Sequence, residues 1–257
     1  DEIVGISGIL NGTTNYILTE MTEKGSDFES VLKEAQDLGY AEKDPTADIE
    51  GHDACRKIAI LTSLAYGKQL DFEDIYTEGI TKISDRDITY AKSLGAKVKI
   101  FGTSRKVGDK VSAMVAPQLV KKGHPLYNVD GVFNAIMVTG NMVGDVMFFG
   151  QGAGKLATAS AVVSDVMDCA KHASENIPQI WSEEKLDLVA YEDMVHRFFV
   201  RISGSAADRA QQVTQAFGRV TPVEPGFTDE YAFLTDEMTE REYAEAAQSV
   251  GGVINMI

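Results

Sequence analysis

The chain has 257 residues, 44% of them hydrophobic, enough to fill the core of one large domain or two ordinary ones. A formal charge of -15 excludes nonspecific binding to nucleic acid, because phosphates would be repelled, so the expected partners are small molecules or proteins. No stretch approaches the ~20 apolar residues of a membrane helix, and Asp1-Glu2-Ile3-Val4 places no basic segment before an apolar one, so neither insertion nor export is expected.

From Gly12 to Leu64 the pattern is helical with one polar interruption. Ser26-x-x-Glu29 has the form of a capping box, and Phe28, Val31, Leu32, Ala35 and Leu38 recur at helical spacing up to a stop at Gly39. After the loop from Tyr40 to Glu50, Ala54, Ile58, Leu61 and Ala65 mark a second amphipathic helix ending at Gly67. Ser84-x-x-Asp87 opens a short helix that stops at Gly95, and Lys97 to Ala116 alternates about Gly108-Asp109 as a hairpin. Val132 to Val138 and Val143 to Phe149 read as two strands joined at Gly140-Asn141. Gly150-Gln-Gly-Ala-Gly154 then leads into a helix ending near His172.

Residues 173–192 are polar, carry Pro178 and the run Ser182-Glu-Glu-Lys185, and suit a linker, which divides the chain into units at 1–172 and 193–257. In the second unit, strands at Arg197–Ile202, Arg219–Val223, Tyr231–Leu234 and Val253–Ile257 alternate with helices at Ala206–Phe217 and Glu240–Val250. The order is β-α-β-β-α-β. Only Cys55 and Cys169 occur, without a metal-ligand spacing, so neither a disulfide framework nor a zinc site is indicated and a reducing cytoplasm fits. Asp stands at position 1 where translation would place Met, which suggests that an upstream segment was removed.

The densest chemistry lies between Gly39 and Lys57, where Glu42, Asp44, Asp48, Glu50 and Asp53 precede the lysine. Asp53 and Lys57 are four apart on a helix and share a face, with Glu42 and Asp48 on the loop leading into it; carboxylates beside an ammonium suit a zwitterionic substrate. Charge spacing alone favours the plainer reading of a solvated acidic loop and a surface ion pair worth a few tenths of a kcal/mol.

Residue identity changes that balance. Gly8-Ile-Leu-Asn-Gly-Thr-Thr-Asn-Tyr-Ile-Leu18, Glu34-Ala-Gln-x-x-Gly-Tyr-Ala-Glu42, Asp44-Pro-Thr-Ala-Asp48-x-x-Gly-x-Asp53-Ala and Lys57 follow one another along the chain. His124-Pro-Leu126, Asn134-Ala135, Gly150-x-Gly-Ala-Gly154 and Thr158-Ala-Ser-Ala-Val-Val163 with Asp165 come next. In this order, over residues 8 to about 170, the blocks resemble the substrate-binding and catalytic domain of homoserine dehydrogenases. The resemblance implies an α/β (α+β) fold with a mixed sheet covered by helices, dimerisation through that sheet or assembly to a tetramer, and NAD(P)H-dependent interconversion of L-aspartate 4-semialdehyde and L-homoserine. That reaction serves threonine, methionine and isoleucine biosynthesis.

By position, the resemblance makes Lys57 the proton donor, assisted by Asp53, and Glu42 and Asp53 the carboxylates that bind the substrate, with Asp48 and Tyr40 in support. Gly12 and Thr13 would receive substrate at a helix N-terminus, where capping is an equal role for Thr13. Gly39, Gly152 and Gly154 would approach the NADP or NAD cofactor, a glycine stop explaining Gly39 as well. The chain departs from the family in lacking a G-x-G-x-x-G dinucleotide-binding unit and the family's second active-site lysine, so it is expected to be inactive alone. No metal is assigned, because the family's sodium-binding peptide also lies upstream. Ala157 replaces a common proline without evident consequence.

The tail from about Met194 resembles a small ferredoxin-like ACT domain, which implies threonine as an effector, although Ser203-Gly-Ser-Ala-Ala-Asp208 replaces its usual turn and a purely dimer-forming module is an equal reading. Two alternatives remain. An aldehyde dehydrogenase that uses a nucleophilic cysteine would need Cys55 exposed on the Lys57 face, whereas its spacing turns it away. An amino-acid-binding regulatory and dimerisation module without turnover needs no cofactor domain.

Overall fold

The computed structural model describes residues 1–176, 178 and 181–257. In chain order, strand β1 (Ile3–Ile9) is followed by helices α1 (Gly12–Lys24), α2 (Phe28–Asp37), α3 (Thr46–Ile49) and α4 (His52–Tyr66), then by the two-residue strands β2 (Lys68–Gln69) and β3 (Tyr76–Thr77) and helix α5 (Asp85–Ser93). Strands β4 (Ala96–Val107), β5 (Lys110–Lys121), β6 (Phe133–Gly140) and β7 (Gly144–Gln151) precede helix α6 (Lys155–Lys171) and strand β8 (Ser182–Lys185). The C-terminal part holds β9 (Val195–His196), β10 (Phe199–Ser203), α7 (Ala206–Phe217), β11 (Val220–Pro222), β12 (Glu230–Thr235), β13 (Met238–Thr239), α8 (Glu240–Val250) and β14 (Val253–Met256).

Six strands form one sheet in the order β3-β5-β4-β1-β6-β7, antiparallel except for the β3–β5 pair, so the sheet is mixed and the α/β class holds. Its long hairpin turns at Gly108-Asp109, the expected turn pair, but runs further than expected because Val107↔Lys110 begins a ladder that continues to Ala96↔Lys121. Strand β1 lies at the centre, although the sequence pattern gave no element before Gly12. Gly5, Ser7 and Gly8 interrupt its apolar alternation, yet Ile6, Gly8 and Ile9 are buried because neighbours pair on both edges. Helices α1, α4 and α5 pack on the sheet, and α2 packs on α1, in one core that includes Ile17, Leu18, Met21, Val31, Ile58 and Ile88.

The capping box expected at Ser26 does not form. Asp27 is the N-cap of α2, its carboxylate accepting from both the backbone N–H and the hydroxyl of Ser30. The box at Ser84 and Asp87 does form at the start of α5. Leu38 closes the apolar stripe of α2 on paper but is exposed, because it occupies the C-cap, where the helix leaves the core.

The stretch read as a linker is not free of the first unit. β8 pairs in parallel with β2, Trp181 donates its indole N–H to Gln69, and Leu188 bridges Val111. Polar Ser-Glu-Glu-Lys residues carry no alternation that would betray such a strand. The C-terminal elements form a four-stranded sheet ordered β11-β12-β10-β14, backed by α7 and α8, with a second core of Phe198, Val200, Ile202, Val213, Phe233 and Val250. Within that module the chain runs β-α-β-β-α-β, and first strand lies between last and third, the ferredoxin-like arrangement.

Candidate active site

β1 ends at Ile9 in the middle of the sheet and turns through Leu10 and Asn11 into α1, while α4 brings Lys57 past the same turn. The Lys57 ammonium donates to Asp53 Oδ2 at 2.6 Å and to the carbonyl of Leu10 at 3.0 Å. The i,i+4 spacing thus does what it promised on the helix, and the Leu10 carbonyl is a partner that spacing could not show. Of three ammonium hydrogens, two are committed, and the Lys57 side chain stays 47% exposed, so one donor remains for a ligand.

Asn11 binds this pair to the loop. Its Nδ2 donates to Asp53 Oδ2 at 2.9 Å and to Asp48 Oδ1 at 2.7 Å, while its Oδ1 caps α1 by accepting from the N–H and hydroxyl of Thr14. The cap is therefore Asn11, not Thr13, whose hydroxyl instead donates to the Tyr40 carbonyl at 2.7 Å and ties the 40s loop to α1. The exposed Tyr40 ring lies 5.0 Å from that of Tyr16. Glu42 is exposed on the same loop; its backbone carbonyl accepts from Gln36 at 3.1 Å, and its carboxylate takes no part in the hydrogen-bonded group.

Two of the singled-out glycines meet through a residue that sequence reasoning left without a role. A Cβ on Gly12 would come within 2.9 Å of the Val132 carbonyl and 3.3 Å of Asn134 Oδ1, and one on Gly152 within 2.9 Å of Asn134 Nδ2. The Asn134 carboxamide thus fills the space between the start of α1 and the Gly-x-Gly-Ala-Gly turn. Gly154, at φ 109°, is the N-cap of α6 and has open space around it. Gly39 has a local explanation: at φ 77° it follows the C-cap of α2, donates its N–H to Gln36 O, and lets Tyr40 donate to Ala35 O, the paired bonds of a left-handed helix stop.

Cys55 faces away from this group, as its spacing implies. It is buried with its thiol toward the Phe72 carbonyl, and burial pushes its pKa up, which opposes a nucleophilic thiolate. Among the described residues no cluster of His, Cys, Asp or Glu is placed to hold a metal ion, and no helix is long and apolar enough to cross a membrane.

A mixed sheet whose central strand ends beside a helix-borne lysine and two carboxylates defines the class: an α/β protein with an ammonium–carboxylate site at a strand-to-helix turn. The homoserine dehydrogenase family model matches residues 1–167. Homoserine dehydrogenase from Neisseria gonorrhoeae is 53% identical over 171 residues, 66% of this chain and 39% of that protein. The Synechocystis enzyme of the same name is 39% identical over 97% of this chain and 63% of its own length. The crystal structure of a homoserine dehydrogenase from Thiobacillus denitrificans superposes with a TM-score of 0.89 at 33% identity, over 100% of this chain and 64% of that one. The chain belongs to the homoserine dehydrogenase family, and spans less than two thirds of the length of these relatives.

Proposed function

We propose that these residues form the substrate-binding and catalytic part of a homoserine dehydrogenase, which interconverts L-aspartate 4-semialdehyde and L-homoserine in the route to threonine, methionine and isoleucine. The observation that carries this reading is the Lys57 ammonium, fixed by Asp53 and Leu10 with one hydrogen still free at a partly open site. In that reading the free N–H points to the aldehyde oxygen of the substrate, offsets the charge that grows on it, and delivers its proton; in reverse, the neutral amine takes the proton from the alcohol. Asp48, Asp53 and Glu42 receive the substrate ammonium, and the N–H groups at the start of α1, beside Gly12 and Thr13, receive its carboxylate. Tyr40 closes this side.

When bound, NADPH or NADH would supply the hydride for reduction of the aldehyde, and the oxidised cofactor would accept it in reverse. Gly39, Gly152 and Gly154 fit its approach as backbone without side chains, and the open space at Gly39 and Gly154 is consistent with that. The sequence offers no G-x-G-x-x-G turn for the adenine half, so these 257 residues by themselves do not turn over. The unit boundaries at 172 and 193, an ACT-like regulatory role for the C-terminal module with threonine as effector, a cytoplasmic setting, and a homodimer or tetramer belong to the same proposal. The module's β-α-β-β-α-β order supports the second, and exposed Met147, Phe148 and Phe149 on β7 support assembly.

The test is aspartate-semialdehyde-dependent oxidation of NADPH by the enzyme with its nucleotide-binding part, for wild type and Lys57→Ala. Loss of roughly a hundredfold or more in kcat for Lys57→Ala is expected for a removed proton donor. No turnover by correctly folded wild type would replace this reading with a binding module.

A further inference from the structure

We infer that Asn11 is a positioning residue: one carboxamide nitrogen holds Asp48 and Asp53 together and turns an Asp53 oxygen toward Lys57, which leaves the opposite oxygen of each carboxylate for an ammonium group. The inference deepens the homoserine dehydrogenase reading and rests on it. Asn11 is buried, and every polar atom of its side chain is engaged: Oδ1 by Thr14, Nδ2 by Asp48 and Asp53. Two carboxylates within hydrogen-bond reach of the same nitrogen repel each other, and a neutral group that donates one hydrogen to each offsets that repulsion without neutralising either. Asp53 Oδ2 accepts from both Asn11 and Lys57, so the amide and the ammonium together fix the plane of that carboxylate. Asp48 Oδ2 and Asp53 Oδ1 accept nothing from the described residues. They are the oxygens a substrate ammonium would find already paired.

Capping does not require asparagine here, because serine and aspartate cap a helix about equally well. Donating to two carboxylates does require it, and only an amide can cap with its oxygen while its nitrogen donates twice. The two roles therefore separate by substitution. Asn11→Asp and Asn11→Ser keep an acceptor for the Thr14 N–H, but the first puts a third carboxylate among two and the second removes the donors.

In the enzyme with its nucleotide-binding part, both substitutions should raise KM for the amino-acid substrate about tenfold or more, as expected for losing hydrogen bonds to charged groups, Asn11→Asp the more strongly. KM for the nicotinamide cofactor should stay near wild type and kcat should fall less than KM rises, while the melting temperature should fall, more for Asn11→Asp, which buries a third carboxylate beside two, than for Asn11→Ser. A cap and nothing more would leave substrate KM within twofold in both variants, which would overturn the inference. The crystal structure of the Asn11→Asp chain decides the same point without turnover, with Asn11→Ser as the substitute if the first does not fold. Asp53 should swing off Lys57 or Asp48 should leave the group; unchanged positions for both would overturn the inference. An inactive wild-type enzyme would count against the reaction, while the variant structure would still decide the positioning.

Discussion

Lys57 and Lys99 show how one side chain serves two ends. Lys99 is buried, and all three of its N–H donors are spent, on Asn15 Oδ1, the Val129 carbonyl and Asp130 Oδ1 at 2.7–2.9 Å. Desolvation pulls its pKa down while Asp130 partly restores it, so it is a strut rather than a reagent. Lys57 keeps a free donor and an open side. His196 offers a measurable case of burial alone. Its Nε2 is buried without a hydrogen-bond partner among the described residues, 3.8 Å from Glu240 Oε1, and desolvation lowers the imidazole from its ordinary 6.5. As pH falls below about 6.5 the unfolded chain takes the proton before the folded one, so stability is complete above that value and drains away towards the lowered folded pKa. The Glu240 carboxyl, pushed up by burial, acts in the opposite sense, gaining stability as it protonates in the folded state above its ordinary 4.5. His196→Gln should therefore lose less melting temperature than wild type between about pH 7 and 5.5; equal losses in the two proteins would show that this histidine does not govern the acid response.

At the scale of elements, the placing of Asp48 depends on a backbone crossing. Past β3 the chain lies against the end of α3: Ile80 donates to the Ile49 carbonyl at 2.8 Å, and a Cβ on Gly79 would sit 2.1 Å from that oxygen and 2.4 Å from Glu50 Cα. Backbone cannot rotate away as a side chain can. Gly79→Ala should push α3 outward, cost about 3 kcal/mol of stability by overpacking, and lower kcat/KM by shifting Asp48; chemical denaturation and steady-state kinetics at unchanged cofactor KM would check both. This dependence was invisible in the sequence for the same reason that Asn11 was. Asp53 and Lys57 announce themselves because helical spacing puts them on one face, whereas Asn11 stands alone before the helix and its carboxylate partners follow 37 and 42 residues later. The longer helices were legible through periodicity and the hairpin through its turn pair, but α3 was not, because its four residues, Thr46–Ile49, are too short to show a period within the stretch read as a loop. β1 was not, since Gly5, Ser7 and Gly8 break the pattern that β4 and β6 restore by pairing, nor was β8, whose polar residues have nothing but a two-residue neighbour to define them.

At the scale of the whole molecule, the two cores are joined by a buried ionic group rather than by apolar contact alone. Arg201 on β10 donates to Asp87 Oδ1 at 2.8 Å and Ser84 Oγ at 2.9 Å on α5, and grips Glu230 on β12 through Nε and Nη2. Asn255 on β14 adds a bond to Asp87 at 3.0 Å, and Tyr90 of α5 packs on Phe199 beside them. Arg201, Asp87 and Glu230 are all at most 4% exposed, so each charge depends on the others for the solvation it has lost. A buried pair is weak evidence of net stabilisation, but breaking one is costly because a charge remains behind. Arg201→Met should accordingly destabilise the protein by about 3–5 kcal/mol, leaving Asp87 without a counter-ion and Glu230 with only the partly exposed Arg86, 3.0 Å away. Adding Asp87→Asn and Glu230→Gln to Arg201→Met should recover much of that loss, because no unpaired charge is then buried. Denaturant unfolding of the single and triple variants decides between this account and an inert contact: a loss under about 1 kcal/mol for Arg201→Met, in the range of an exposed pair, would mean that the C-terminal module is held to α5 by its apolar residues and not by the arginine.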